Sequence, residues 1–199
     1  INVLEPKTWD ENGSPEDMDA PMAFQCSSKL SQHISFLKDF FRTYKNFTDS
    51  QIDTIEIMLG KLYEKWNIRD DTDFSKLSPT DYPILSDLYD LMEEEYKNYD
   101  AKKKELYTAE LLQEICLGLH SMCKGAESKF FNGHTNITDS SFLTFGVKGL
   151  LQASRNVKDA MLFNILSYMS NELLTNGHTA ASIDEFYLFL TNLTAVEYI

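Results

Sequence analysis

A mainly α-helical protein with a small α/β part is the fold class this sequence predicts. Three observations lead there. Between residues 24 and 123, apolar residues recur every three or four positions in successive stretches, the spacing of one helix face. After Gly125 that pattern gives way to turn residues and short apolar runs at 141–150 and 179–183, which suit strands. A further helical stretch, 157–175, lies between those two runs, and strand–helix–strand in that order favours parallel pairing with a right-handed crossover.

Residues 1–23 read as an irregular lead-in. "INVLEP" has the character of a short strand, and "TWDENGSPEDMDAP" is a loop rich in Asp, Glu, Gly and Pro. Leu30, Ile34, Leu37 and Phe41 place a helix within 24–45. Thr48 and Gln51 form a capping box, and Ile52, Ile55, Leu59, Leu62 and Trp66 predict a helix over about 49–66. In "SPTDYPILSDLYDLM", Ser78 can cap, Pro79 fits a first helical position and Asp81 suits the first turn. Pro83 either lies within that turn or restarts the helix. Ile84, Leu88, Leu91 and Met92 continue the stripe. Leu111, Leu112, Ile115 and Leu119 define a helix over 108–123, and Gly118 inside it points to close packing, since glycine there costs about 1 kcal/mol relative to alanine. Asn132-Gly133 marks a turn. Leu162, Ile165, Leu166, Met169 and Leu173 lie on one side of the 157–175 helix, which Asn176-Gly177 stops. The organisation expected is a lead-in at 1–23, an all-helical part at 24–125 and an α/β part at 126–199.

The composition narrows the function. With 43% hydrophobic and 13% aromatic residues the chain can fill a core. Its 31 acidic and 18 basic residues give a formal charge of −13, which argues against nonspecific nucleic-acid binding by this part. The longest basic run, Lys102 to Lys104, follows Glu93, Glu94 and Glu95 and reads as a solvated face. Three cysteines without a CxxC suggest neither a disulfide framework nor a zinc site, and suit a reducing compartment. His33, His120, His134 and His178 show no metal-ligand spacing. Arg155 reads as a surface residue, Thr135 and Asn136 as turn-fixing groups, and Trp9 and Trp66 as packing groups. The chain begins at Ile1 and stops at "AVEYI" after an apolar stretch, as expected of a segment cut from a longer protein.

The feature with most chemical meaning is Asp184-Glu185, at the end of the second expected strand. Ligands of open α/β sheets bind beyond the carboxyl ends of strands. Of two acids there, one can hold a magnesium ion, usually through water, and the other can accept a proton from an attacking water. Two acids after an apolar run also commonly begin a solvated helix. A phosphate loop of the form G-x-x-x-x-G-K-[ST] is absent from the chain. The bland alternative is a helical protein–protein docking module, without catalysis.

The order of several segments resembles the VirB4/TraC-like conjugation ATPases of type IV secretion systems. "INVLEP" is similar to the segment after that family's second core strand, with Val3 where proline is usual. "FFNGHTNI" resembles its Phe-x-Gly-x-Thr-Asn turn. "FLTFGVKGL" resembles its next core strand, with Gly146 where many relatives carry Asp, so no acidic role passes to that position. "SIDEFYLFL" resembles its second nucleotide-binding motif, a Walker B-like sequence. The resemblance implies an all-helical subdomain inserted in an incomplete RecA-like P-loop ATPase core. The phosphate loop would lie upstream of Ile1 and further core strands downstream of Ile199. It implies ATP and Mg2+ as cofactors, with Asp184 as the metal-side carboxylate and Glu185 as the catalytic, water-activating one. It implies a cytoplasmic motor, peripheral to the bacterial inner membrane, that self-associates as a hexamer and engages secretion-system subunits. DNA contact is left open.

Overall fold

The computed structural model describes residues 1–6, 28–103, 105–137, 142–175 and 178–184. Within these the chain is helical: α1 Lys29–Tyr44, α2 Asp49–Lys65, α3 Leu85–Lys97, α4 Ala109–Cys123, the short α5 Ser128–Phe131 and α6 Arg155–Thr175. The local signals explain most of these boundaries. Ser28 caps α1 by accepting from the Ser31 N–H. Thr48 and Gln51 form the expected box at the start of α2. The same helix ends in a Schellman motif. Asn67 takes a positive φ of 56°, its N–H reaches the Glu64 carbonyl, and the Ile68 N–H reaches that of Tyr63. Thr108 caps α4.

Pro83 separates two elements. Pro79–Asp81 forms a single 3₁₀ turn, and Tyr82 is extended, with ψ 144°. A residue before proline is pushed out of the helical region by the proline ring, so α3 starts only at Leu85.

One large apolar core joins the helices. Leu37, Phe40 and Phe41 of α1, Ile52, Ile55, Met58 and Leu59 of α2, and Leu85, Leu88 and Met92 of α3 are fully buried in it. Leu112, Ile115, Leu119 and Met122 of α4 complete the central layer. Gly118 has the predicted reason: an added Cβ would sit 2.7 Å from the Phe47 ring. The core continues into α6 through Val157, Ala160 and Phe163, and the Phe163 ring stacks on Phe36 at 5.2 Å. The expected stripe of α6 faces another way. Leu162, Ile165 and Leu166 form a separate small cluster with Leu150, flanked by Phe145, Val147, Met169 and Ile183. A helix apolar on two sides is covered on two sides.

The strand expectations need correction. Residues 142–147 are irregular, Lys148–Gln152 forms a 3₁₀ turn, and 178–184 is irregular, with a turn at Asp184. "INVLEP" is likewise a bend and turn. A strand exists only through hydrogen bonds to a neighbour, and among the described residues no such neighbour is present. Phe145, Val147 and Leu150 instead turn towards α6 and strap it, with the Phe145 ring edge-on to Tyr168 at 5.9 Å. The described residues thus contain no β-sheet.

Candidate functional site

The short segment 1–6 is set deep in the protein. Val3 and Leu4 are 1% and 0% exposed and belong to the main core. Asn2 is wholly buried, and each of its polar groups is engaged. Its amide N–H donates to Thr135 Oγ1 at 2.9 Å. Its Nδ2 donates to the Pro83 carbonyl at 2.8 Å. Its Oδ1 accepts from the Leu4 N–H at 3.1 Å, a local Asx turn. Tyr63 donates its hydroxyl to the Leu4 carbonyl at 2.8 Å, and Asn164 Nδ2 donates to the Ile1 carbonyl at 3.2 Å. Thr135 in turn donates to Glu5.

The neighbouring segment that leaves α5 completes the arrangement. Asn132 Oδ1 accepts from the Ser86 N–H at 2.8 Å. That bond solves a problem posed by Ile84, which occupies the N-cap of α3 without a side-chain oxygen. Asp87 supplies the other half by accepting from the Ile84 N–H at 2.8 Å. Segments 1–6 and 132–135 therefore both close on the N-terminus of α3. Beside this clasp lies a cleft of about 240 Å³, lined in part by Asn2, Glu5, Tyr82, Thr135, Asn171 and Glu172. Burial, with the nearby Glu5 and Asp81 carboxylates, pushes the Tyr82 hydroxyl up to about 12.

Asp184 is exposed, at a turn reached through 178–183. Ile183 beside it packs against the outer cluster on α6, which fixes its place. Glu185 lies outside the described residues, as do Trp9, Cys26 and Asn176-Gly177. Among the described residues no group of three His, Cys, Asp or Glu side chains stands together to hold a metal. One exposed carboxylate suits an ion carried mostly by water and phosphate, and the other oxygen ligands would have to come from elsewhere.

The remaining candidates find structural places. His33 is 5% exposed and stacks on Phe36. His120 is edge-on to Tyr89 at 6.0 Å. Arg155 pairs with Asp159 one turn along α6 at 3.4 Å. Trp66 is the C-cap of α2 and packs on the core. The Cys116 and Cys123 thiols are pushed up to about 11 and about 12, foremost by burial, so both stay protonated at neutral pH. Several described cations bridge helices: Lys61 meets Glu95 at 2.8 Å, Lys124 meets Asp90 at 2.8 Å, and Lys38 bridges Asp53 and Glu56.

Two polar hubs were not anticipated from the sequence. Lys61 donates to the Tyr107 hydroxyl at 2.7 Å, and that hydroxyl donates to Glu95 at 2.6 Å. Glu127 accepts from the Tyr44 hydroxyl at 2.6 Å and from Ser154 Oγ at 3.2 Å, tying α1 to the start of α6. Neither has a local signature, because partners up to 83 residues apart meet only after folding.

With this geometry established, the chain can be set beside known proteins. It is similar in structure to VirB4 of Thermoanaerobacter pseudethanolicus, with a TM-score of 0.70 and 27% sequence identity. The match covers 87% of this chain and 40% of that one. The chain thus spans well under half of the protein it resembles. No protein-family model matches it, and no curated protein does. The relationship to VirB4 is distant, and its name is that of the family resembled by the sequence motifs.

Proposed function

We propose that this chain is part of an ATP-hydrolysing motor of a conjugative-transfer or type IV secretion system. The observation that carries the reading is the similarity to VirB4 over 87% of the chain, at 27% identity. In this reading residues 24–125 are the helical subdomain, and 1–23 and 126–199 belong with a RecA-like core. The longer protein supplies the phosphate loop and the strands of that core. It works as a hexamer with other secretion-system subunits, in the cytoplasm at the inner face of the membrane. No helix among the described residues is long and apolar enough to cross a membrane.

ATP and Mg2+ supply the phosphoryl chemistry when bound, the ion neutralising charge that develops on the phosphates. Asp184 would hold the ion, and Glu185 would accept a proton from the attacking water or orient that water. The test uses the longer protein that contains both this chain and a G-x-x-x-x-G-K-[ST] loop. Magnesium-dependent ATP hydrolysis should fall at least about a hundredfold in Glu185→Gln, the usual contribution of a positioned base, while ATP binding remains. Unchanged turnover in that variant would remove Glu185 from catalysis.

A docking role without catalysis has one observation in its favour. Leu117 is 78% exposed on the outer side of α4, with Glu110 and Glu114 on the same helix. If docking is the whole function, Leu117→Asp abolishes capture of secretion-system subunits, and Glu185→Gln has no effect on transfer.

A further inference from the structure

The chain enters the helical unit through residues 1–6 and leaves it through 132–137, and the two segments are held in different ways. The entering segment is anchored by apolar burial of Val3 and Leu4, as well as by Tyr63 and Asn164. In the leaving segment no side chain from 132 to 137 is buried. Among the described residues its side-chain ties to other segments are the hydrogen bonds of Asn132 to Ser86 and of Thr135 to Asn2 and Glu5, and the Asn132 N–H also closes α5 on the Ser128 carbonyl at 2.7 Å. Hydrogen bonds exchange readily with water and are worth little net, whereas buried apolar side chains cannot leave without exposing their surface.

We infer that 132–137 is a releasable latch, and that it opens from the α3 N-terminus while 1–6 and the helices stay closed. Asn132 and Thr135 are the two catches. Asn132 is the catch on α3, since it supplies the acceptor that Ile84 lacks. Thr135 is the catch on the anchored segment. Such local openings, far below global unfolding in cost, are how segments with few buried contacts move. The inference needs no nucleotide, so it stands or falls separately from the motor reading.

Native-state amide hydrogen exchange of the 199-residue chain tests it, with Asn132→Ala, Thr135→Val and Asn132→Asp beside the wild type. The Ser86 amide reports one catch and the Asn2 amide the other. Asn132→Ala should speed exchange at Ser86 about tenfold, the loss of one well-made bond to a helix terminus. Thr135→Val should do the same at Asn2. The Leu4 amide, bonded within the anchored segment, and the central amides of α1, α2 and α4 should keep wild-type rates. Asn132→Asp keeps an acceptor at the positive end of α3 and should restore protection at Ser86. Exchange rising equally across the helices, or unchanged at Ser86 and Asn2, would overturn the latch. So would failure of Asn132→Asp to protect Ser86 where Asn132→Ala has lost it.

Discussion

Two sides of α6 are covered by quite different chain. On one, Phe163 stacks on Phe36 and joins a core built by five helices and the buried Val3 and Leu4. On the other, Leu162, Ile165 and Leu166 are closed over by Leu150, Phe145 and Val147 from an irregular strap. The first side is shielded by elements that hold one another, so losing one contact leaves a cavity that cannot collapse. The second is shielded by a segment whose regular backbone is a single 3₁₀ turn, Lys148–Gln152, which can shift to fill a gap more easily than a helix of the core. Apolar burial alone therefore does not make a region rigid; what lies behind the covering side chain decides.

The sharpest way to break this comparison is to truncate one side chain on each side and set each loss against the atoms removed. Phe40→Ala, at a fully buried ring in contact with Phe36, Phe41 and Phe131, should cost about 3–5 kcal/mol in urea denaturation. Leu150→Ala in the strap should cost about 2 kcal/mol or less, since the segment can relax. A loss of about 3 kcal/mol or more at Leu150, as for a leucine in a packed core, would show that the strap is as rigid as the core.

Next comes the joint between α1 and α6. Glu127→Ala leaves the Tyr44 hydroxyl and Ser154 Oγ without their acceptor and should cost about 1–3 kcal/mol. Glu127→Gln keeps an acceptor and should lose less. Identical losses would mean that the carboxylate acts only by filling space.

Alkaline pH probes the same core. Burial raises the Cys123 thiol from its ordinary 9.0 to about 12. A group raised in the folded state contributes stability that is complete below its unfolded pKa and is lost as pH climbs towards the folded one. Stability should hold up to about pH 9 and then fall, with about 2 kcal/mol lost by pH 10.5 through Cys123 alone. Cys123→Ala should flatten part of that decline. Tyr82, raised from 10.0 to about 12, adds to the loss from about pH 10 upward. A stability profile flat from pH 8 to 10.5 would contradict the burial of these groups.

The smallest effect separates two glycines within helices. Nothing lies within 4 Å of a Cβ added at Gly60, so Gly60→Ala should stabilise by about 0.5–1 kcal/mol. At Gly118 the added methyl meets the Phe47 ring, and the propensity gain should be cancelled or reversed. Thermal melts of the two variants should move apart.

How much of this was readable depends on how local each cause is. The start of α2 needs only Thr48, Gln51 and the stripe that follows, all within a few turns, and the sequence shows it directly. The break at Pro83 comes from one ring and one neighbour. The clasp was not readable: Asn2 meets Pro83 across 81 positions and Thr135 across 133, and a lone Asn in an apolar hexapeptide carries no sign of either. The core face of α6 was hidden because its stripe at 162, 165, 166 and 169 already satisfied the helical period, leaving Val157, Ala160 and Phe163 unremarked. The runs at 141–150 and 179–183 have strand composition, but a strand also needs a partner, and composition cannot supply one. Of the acidic pair, Asp184 is seen as an exposed turn residue, and Glu185 lies outside the described residues.

The most direct measurement is the magnesium dependence of ATP hydrolysis by the longer protein, with Asp184→Asn and Glu185→Gln run side by side. If the two acids divide the work as proposed, Asp184→Asn raises the magnesium concentration needed for half-maximal turnover, and excess magnesium restores part of the rate. Glu185→Gln leaves the magnesium requirement near its wild-type value and stays slow at every concentration. Hydrolysis with the same magnesium profile and rate in all three proteins would contradict the account and leave the pair as acids that begin a solvated helix.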